Sequence, residues 1–136
     1  MSGQTTTGKG LQFTDDNKYA SLYSGEINTD GTTTTNNILA DFTTQSNYLV
    51  AQIAFQTYNN HSDNMDFRIN FNGVNIERIY YLASTNTYNY SRTNFYWLIP
   101  PFTHVTLTGR NDGSATAIPV GVAVSAEVGM APRVGN

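Results

Sequence analysis

Asn60 to Asp66 reads "NHSDNMD", the densest run of metal-ligating and proton-transfer groups in the chain. His61 would offer an imidazole nitrogen, and Asp63 and Asp66 carboxylate oxygens, to a divalent cation. The same residue types are ordinary in hydrated loops, where Asn, Asp and Ser bond their own backbone. The alternating acids ending in glutamate that mark a calcium loop are missing. His61, Asp63 and Asp66 therefore stand as a candidate cation loop, with a solvated loop as the plainer expectation and no resident metal or cofactor. Ser62, His61 and Asp63 make a nucleophile–base–acid set only on paper, because neighbours in one loop rarely meet that geometry. No nucleophile-elbow sequence occurs either.

The remaining chemistry is sparse. His104 falls on the outward face of a strand-like run beside Thr106, which reads as a solvent or interface position. Acids such as Asp41 and Asp66 could pair across strands as glycosidase carboxylates do, but nothing singles out a pair. No Walker or dinucleotide fingerprint occurs. The expectation is a protein that is not an enzyme.

Composition narrows the partners. The chain has 136 residues, 10 acidic against 7 basic, and a net charge of -3. No basic field is present to attract nucleic acid or an anionic membrane. Arg68, Arg78, Arg92 and Arg110 are scattered singly along the sequence, where a stacking platform would need them clustered. Only 12% of residues are charged, about half the usual share, so Thr, Asn, Ser and Gln must supply the polar surface. Cysteine is absent, which excludes disulfides and thiolate metal sites. "MSGQTTTGKGLQF" has no apolar core of a signal peptide, and no run approaches membrane-span length, so synthesis in the cytoplasm is expected.

The elements that would position these groups are strands. Residues 1–10 read as a flexible N-terminal arm, 11–129 as a single sandwich domain and 130–136 as a C-terminal tail. Strand-like runs cover Leu11–Phe13, Lys18–Ile27 and Ile38–Phe42. From Leu49 to Thr57 the alternation is clearest, with Leu49, Ala51, Ile53 and Phe55 on one face. Phe67, Ile69 and Phe71 alternate next, followed by Asn72-Gly73, a dipeptide suited to a type I′ turn. A two-residue turn pairs Phe71 with Val74 and Ile69 with Ile76, setting four apolar side chains on one face. Phe95, Trp97 and Ile99 precede Pro100-Pro101, and Val105 and Leu107 follow it. Neither proline can donate to a ladder, so the pair reads as a rigid corner between strands, and Trp97 as a core residue. Val120, Val122, Val124, Ala126 and Val128 share one side of the final strand. Asp30-Gly31 and Asp112-Gly113 read as turns. About eight short strands without helical periodicity predict an all-β fold, a single antiparallel β-sandwich of jelly-roll type. An immunoglobulin-like sandwich is the nearest competitor, but the Cys pair that marks antibody domains is missing.

What remains is a surface. Tyr80, Tyr81, Tyr88, Tyr90 and Tyr96 are interleaved with Asn, Thr and Ser. Tyrosine gives broad amphipathic contact at low entropy cost, which suits subunit contacts or stacking on sugar rings. Some of these rings could equally fill the edges of the core.

"YSGEI", "ILADFTTQSNYLVAQIAFQ", "FRINFNGVNI" and "WLIPPFTHVTLTGRND", with the valine-rich last strand, resemble small structural proteins of tailed phages and related viruses. The likeness runs from about Tyr19 to Val128 and rests on strand order and the "IPPFT" corner. It implies a jelly-roll subunit that decorates or forms a capsid, working as a symmetric homo-oligomer, often a trimer. The implied function is capsid decoration (cement) or minor capsid protein, located in the virion. Implied partners are copies of itself, the major capsid protein and other virion proteins. The alternative is a carbohydrate-binding or receptor-binding module of a virion, with a glycan as ligand near Tyr88 and Tyr90.

Overall fold

A computed structural model describes residues 10–29, 36–57, 65–81, 93–111 and 117–129. Among them run ten strands and no helix: β1 (Gln12–Phe13), β2 (Tyr19–Tyr23), β3 (Ile27–Asn28), β4 (Asn37–Thr43), β5 (Leu49–Thr57), β6 (Met65–Phe71), β7 (Val74–Tyr81), β8 (Thr93–Ile99), β9 (His104–Asn111) and β10 (Pro119–Val128). Residues 1–9, the tail from 130, and the turns expected at Asp30-Gly31 and Asp112-Gly113 lie outside the described residues.

One sheet has the order β1-β2-β10-β5-β8, with β3 also on β10, and the other has the order β4-β9-β6-β7. Every pairing is antiparallel. β1 and β3 are two residues each, and the other eight strands divide four and four. Of the connections among those eight, all but the β6–β7 hairpin pass from one sheet to the other. This is the jelly-roll sandwich that the strand spacing predicts.

Alternation builds the core. Along β5, Leu49, Ala51, Ile53 and Phe55 are buried; along β10, Val120, Val122, Val124 and Ala126 are buried beside them. The facing sheet contributes Leu39 and Phe42 from β4, Val105 and Leu107 from β9, and Met65, Phe67 and Ile69 from β6. The two sheets meet at Phe55 and Phe67, whose rings stack 4.8 Å apart. Each such side chain, fully buried, contributes roughly 1.5–3 kcal/mol of transfer free energy. Trp97 packs partly buried against this core, edge-on to Phe71 at 5.9 Å.

The double proline makes the corner expected of it. β8 ends at Ile99, and the chain re-enters the other sheet at His104. Thr44, in the β4–β5 corner, clamps the turn: its hydroxyl donates to the Pro100 carbonyl at 2.7 Å and accepts from the Thr103 N–H at 2.8 Å. The Thr44 N–H donates to the Thr103 carbonyl at 2.9 Å. Two corners at one end of the sandwich are thus bonded to each other, which fixes where β8 and β9 begin and end.

Two sequence expectations change. The strand expected over Lys18–Ile27 is broken after Tyr23, because Gly25 takes a φ of +73° that interrupts extended backbone. Ser24 bridges the gap, its hydroxyl accepting from the Val122 N–H at 2.9 Å, and β3 resumes on the same partner strand. The β6–β7 hairpin does turn at Asn72-Gly73, with φ of +52° and +80°, and Phe71 does face Val74. Ile69, however, faces Glu77 and not Ile76, since a bulge shifts the register between Ile69 and Asn70. Asn75 stabilises that bulge by donating to the carbonyls of Ile69 and Glu77 at 3.3 and 3.0 Å.

One glycine sets a packing limit. Gly109 sits at an inward position of β9, opposite Phe67. A Cβ there would lie 3.1 Å from Phe67 Cε1 and 3.2 Å from Leu39 Cδ1, and both side chains are themselves buried. Gly109→Val is expected to destabilise the fold by about 1–3 kcal/mol through overpacking. Urea denaturation checks it: the midpoint falls while the slope is unchanged.

Candidate functional site

Two outward sheet faces compete for the functional role, and they differ in charge. On the four-stranded sheet, Asp66 lies in β6 between β7 and β9. It is 0% exposed, yet its cover is polar. Arg68, two residues along, and Arg78 on β7 each form a two-pronged pair with it, Nη2 to Oδ2 at 3.0 Å in both. Their Nε atoms donate to Oδ1 at 3.3 and 3.1 Å. Arg110, directly across on β9, donates from Nη2 to Oδ2 at 2.9 Å. Burial raises the Asp66 pKa, but the bonds and charges of Arg68 and Arg78 outweigh it, so the carboxyl stays below its ordinary 3.8. Three guanidiniums around one carboxylate leave a local surplus of positive charge. On the same face His104 Nε2 lies 2.5 Å from Asp41 Oδ1, both about half exposed.

The six-stranded sheet presents the opposite character. Its outward residues form rows across the strands: Leu98, Val50, Glu127 and Tyr19 in one, Tyr96, Gln52, Ser125 and Ser21 in the next. Ala54, Ala123 and Tyr23 form a third. Of the outward strand residues described on this face, Glu127 alone is charged. Tyr96 is 73% exposed and Leu98 57%, with Tyr19, Tyr23 and Val50 about half exposed. Small residues on β10 and β5 lower the middle of the face, so a groove of about 270 Å³ runs between Tyr19 and Tyr96. Gln52, Ser125 and Glu127 supply its polar groups. At the proline corner, Phe102 adds another apolar exposure. Its φ of +53° is costly for a bulky side chain, and 71% of it faces water.

The candidates read from sequence are divided by this geometry. His61 and Asp63 lie outside the described residues, and Asp66 is not in their loop at all. It belongs to β6, where guanidinium groups already engage both of its oxygens. Among the described residues, no three of His, Asp and Glu converge on a cation position. Tyr88 and Tyr90 lie outside the described residues, as do the side chains of Tyr80 and Tyr81 on β7. Tyr96 shares one face with Tyr19, Val50 and Leu98 across four strands, β8, β5, β10 and β2. The arginines that look scattered in sequence are clustered: Arg68, Arg78 and Arg110 meet at Asp66. Sequence reading missed Tyr19 and Tyr23. Their signal is the pair of outward aromatics flanking Ala20 and Leu22, which are buried. The chain matches no protein-family model and no curated protein.

The Asp66 cluster makes its own prediction. Asp66→Asn removes the charge that three cations share, and breaking a buried pair costs about 3–5 kcal/mol. Arg78 is nearly half exposed and can turn to water, which places the loss near the low end, about 3 kcal/mol. Because the folded pKa is depressed, the wild-type contribution is present above the unfolded value near 3.8 and is lost as pH falls through the folded value. Thermal melts from pH 7 to pH 2 check this: below pH 4 the gap between wild type and variant narrows.

Proposed function

We propose that this chain is a structural subunit of a virus or phage particle, a capsid decoration (cement) or minor capsid protein that stabilises the shell through protein–protein contacts. The observation that supports it best is the tyrosine-bearing outer face of the six-stranded sheet, whose described strand residues carry one charge, Glu127. Interface centres are depleted in charge and enriched in aromatics, and exposed apolar patches of this kind mark association sites. The opposite face, with its surplus of guanidinium charge, is suited to water. Such a subunit has no reaction to perform; its work is burying surface against copies of itself and against the shell. A stable contact of this class buries about 1,200–2,000 Å². The resemblance to phage structural proteins makes a trimer the expected state, the major capsid protein the expected partner, and the virion the site of action.

The groove between Tyr19 and Tyr96 favours a second reading, a glycan-binding module. Two aromatic walls and a floor of Gln52 and Ser125 combine ring stacking with amide and hydroxyl bonds. This site differs from the Tyr88 and Tyr90 position expected from sequence.

Co-sedimentation with purified shells separates the readings. The wild-type protein is expected to bind saturably, and Tyr19→Ser with Tyr23→Ser to weaken binding at least about tenfold, as loss of two interface aromatics does. Saturable binding on a glycan array with no shell binding would replace the first reading by the second.

A further inference from the structure

The longer strands at the sheet edges, and the short β1, are not protected alike. An edge strand exposes unpaired backbone groups, and proteins blunt it by shortness, charge, bulges or cover. β1 is two residues long and runs into a turn bearing Asp15, Asp16 and Lys18. β4 carries Asp41 and a register shift between Ile38 and Ala40. β7 carries Glu77 and Arg78 and the bulge beside Asn75. Among the described residues, β8 shows none of these devices. "TNFYWLI" is seven residues without a charge, its pairing to β5 runs unbroken from Leu49–Ile99 to Phe55–Thr93, and Pro100 follows it at one end.

We infer that the β8 edge is a self-association site, at which a second copy of this chain pairs its own β8 antiparallel across a two-fold axis. Charge chooses the occupant. A two-fold contact sets the residue on the axis against its own copy, so an axis at the middle of β7 would bring Glu77 or Arg78 against its like, whereas β8 has no charge to repel. With the axis at Tyr96, the strand's midpoint, Phe95 faces Trp97 of the partner subunit and Asn94 faces Leu98 of the partner subunit. Inward and outward residues then stay matched, because each pair shares a face. Phe95 and Trp97, both only partly buried in one copy, gain cover at the sheet rim, and aromatic cross-strand pairs are the favourable kind. Tyr96, Leu98 and Val50 of both copies merge into one apolar patch about twice as wide. This contact is isologous; a trimer formed through another surface would then assemble in even multiples.

The inference goes beyond the particle reading and is tested separately from it. Sedimentation equilibrium of the full chain is expected to show reversible dimers. Tyr96→Lys, which places like charges at the axis, raises the dissociation constant at least about tenfold. Val74→Lys, at a 64% exposed position on the β7 edge, leaves it unchanged. Hydrogen exchange gives the second readout, with alternate β8 amides becoming protected as concentration rises. A chain that stays monomeric at all concentrations, equal effects of the two lysines, or β8 amides that exchange at one rate throughout would each overturn the pairing. A monomer that still binds shells refutes this contact and leaves the proposed function standing; a β8 dimer that ignores shells does the reverse.

Discussion

Burying Leu49, Ala51, Ile53 and Phe55 on one side of β5 forces Val50, Gln52 and Ala54 to the other, because side chains on a strand alternate with a period of two. A slip of one residue would put Phe55 in water and Gln56 in the core. The same holds on β10, whose nine-residue register against β5 locks the middle of the larger sheet. The outward positions on both sheets follow from this constraint. Tyr96 faces outward because Phe95 and Trp97 face inward, and Tyr19 because Ala20 and Leu22 are buried. With so few charges in the chain, apolar alternation is also the main source of stability, and salt bridges add little except at Asp66.

The charge that does exist is unevenly placed. Asp66, Arg68, Arg78 and Arg110 converge on the outer face of the smaller sheet, with Asp41 and His104 further along it. The larger sheet's outer face holds Tyr, Val, Leu, Ala, Ser and Gln with a single Glu. A sandwich with one charged face and one nearly uncharged face has a preferred side for docking, and β8, the least protected edge among the described residues, borders that nearly uncharged face. Face and edge therefore point to one region of the molecule.

Local features of this arrangement were legible in the sequence, and non-local ones were not. β5 was readable to its last residue, since nine alternating positions leave no ambiguity. The Asn72-Gly73 turn was readable because few other dipeptides accept two positive φ angles. The bulge behind it was not. A plain two-residue hairpin would set Arg68 against Glu77, whereas the shift sets Arg68 against Arg78, a pairing made tolerable by Asp66 beside both. Nothing in Lys18–Ile27 except Gly25 announced the break in that strand. Tyr19 and Tyr96 are 77 positions apart in the chain and share a face only because β10 and β5 lie between their strands. That relation is a property of jelly-roll topology, which periodicity suggests in kind but does not index residue by residue.

Hydroxyl-radical footprinting of the free and the assembled protein tests the central claim most directly, since it reads tyrosine and histidine reactivity in one experiment. Tyr19, Tyr23 and Tyr96 are expected to lose reactivity on assembly while His104, on the charged face, keeps it. Shielding of His104 with the three tyrosines still reactive would contradict it.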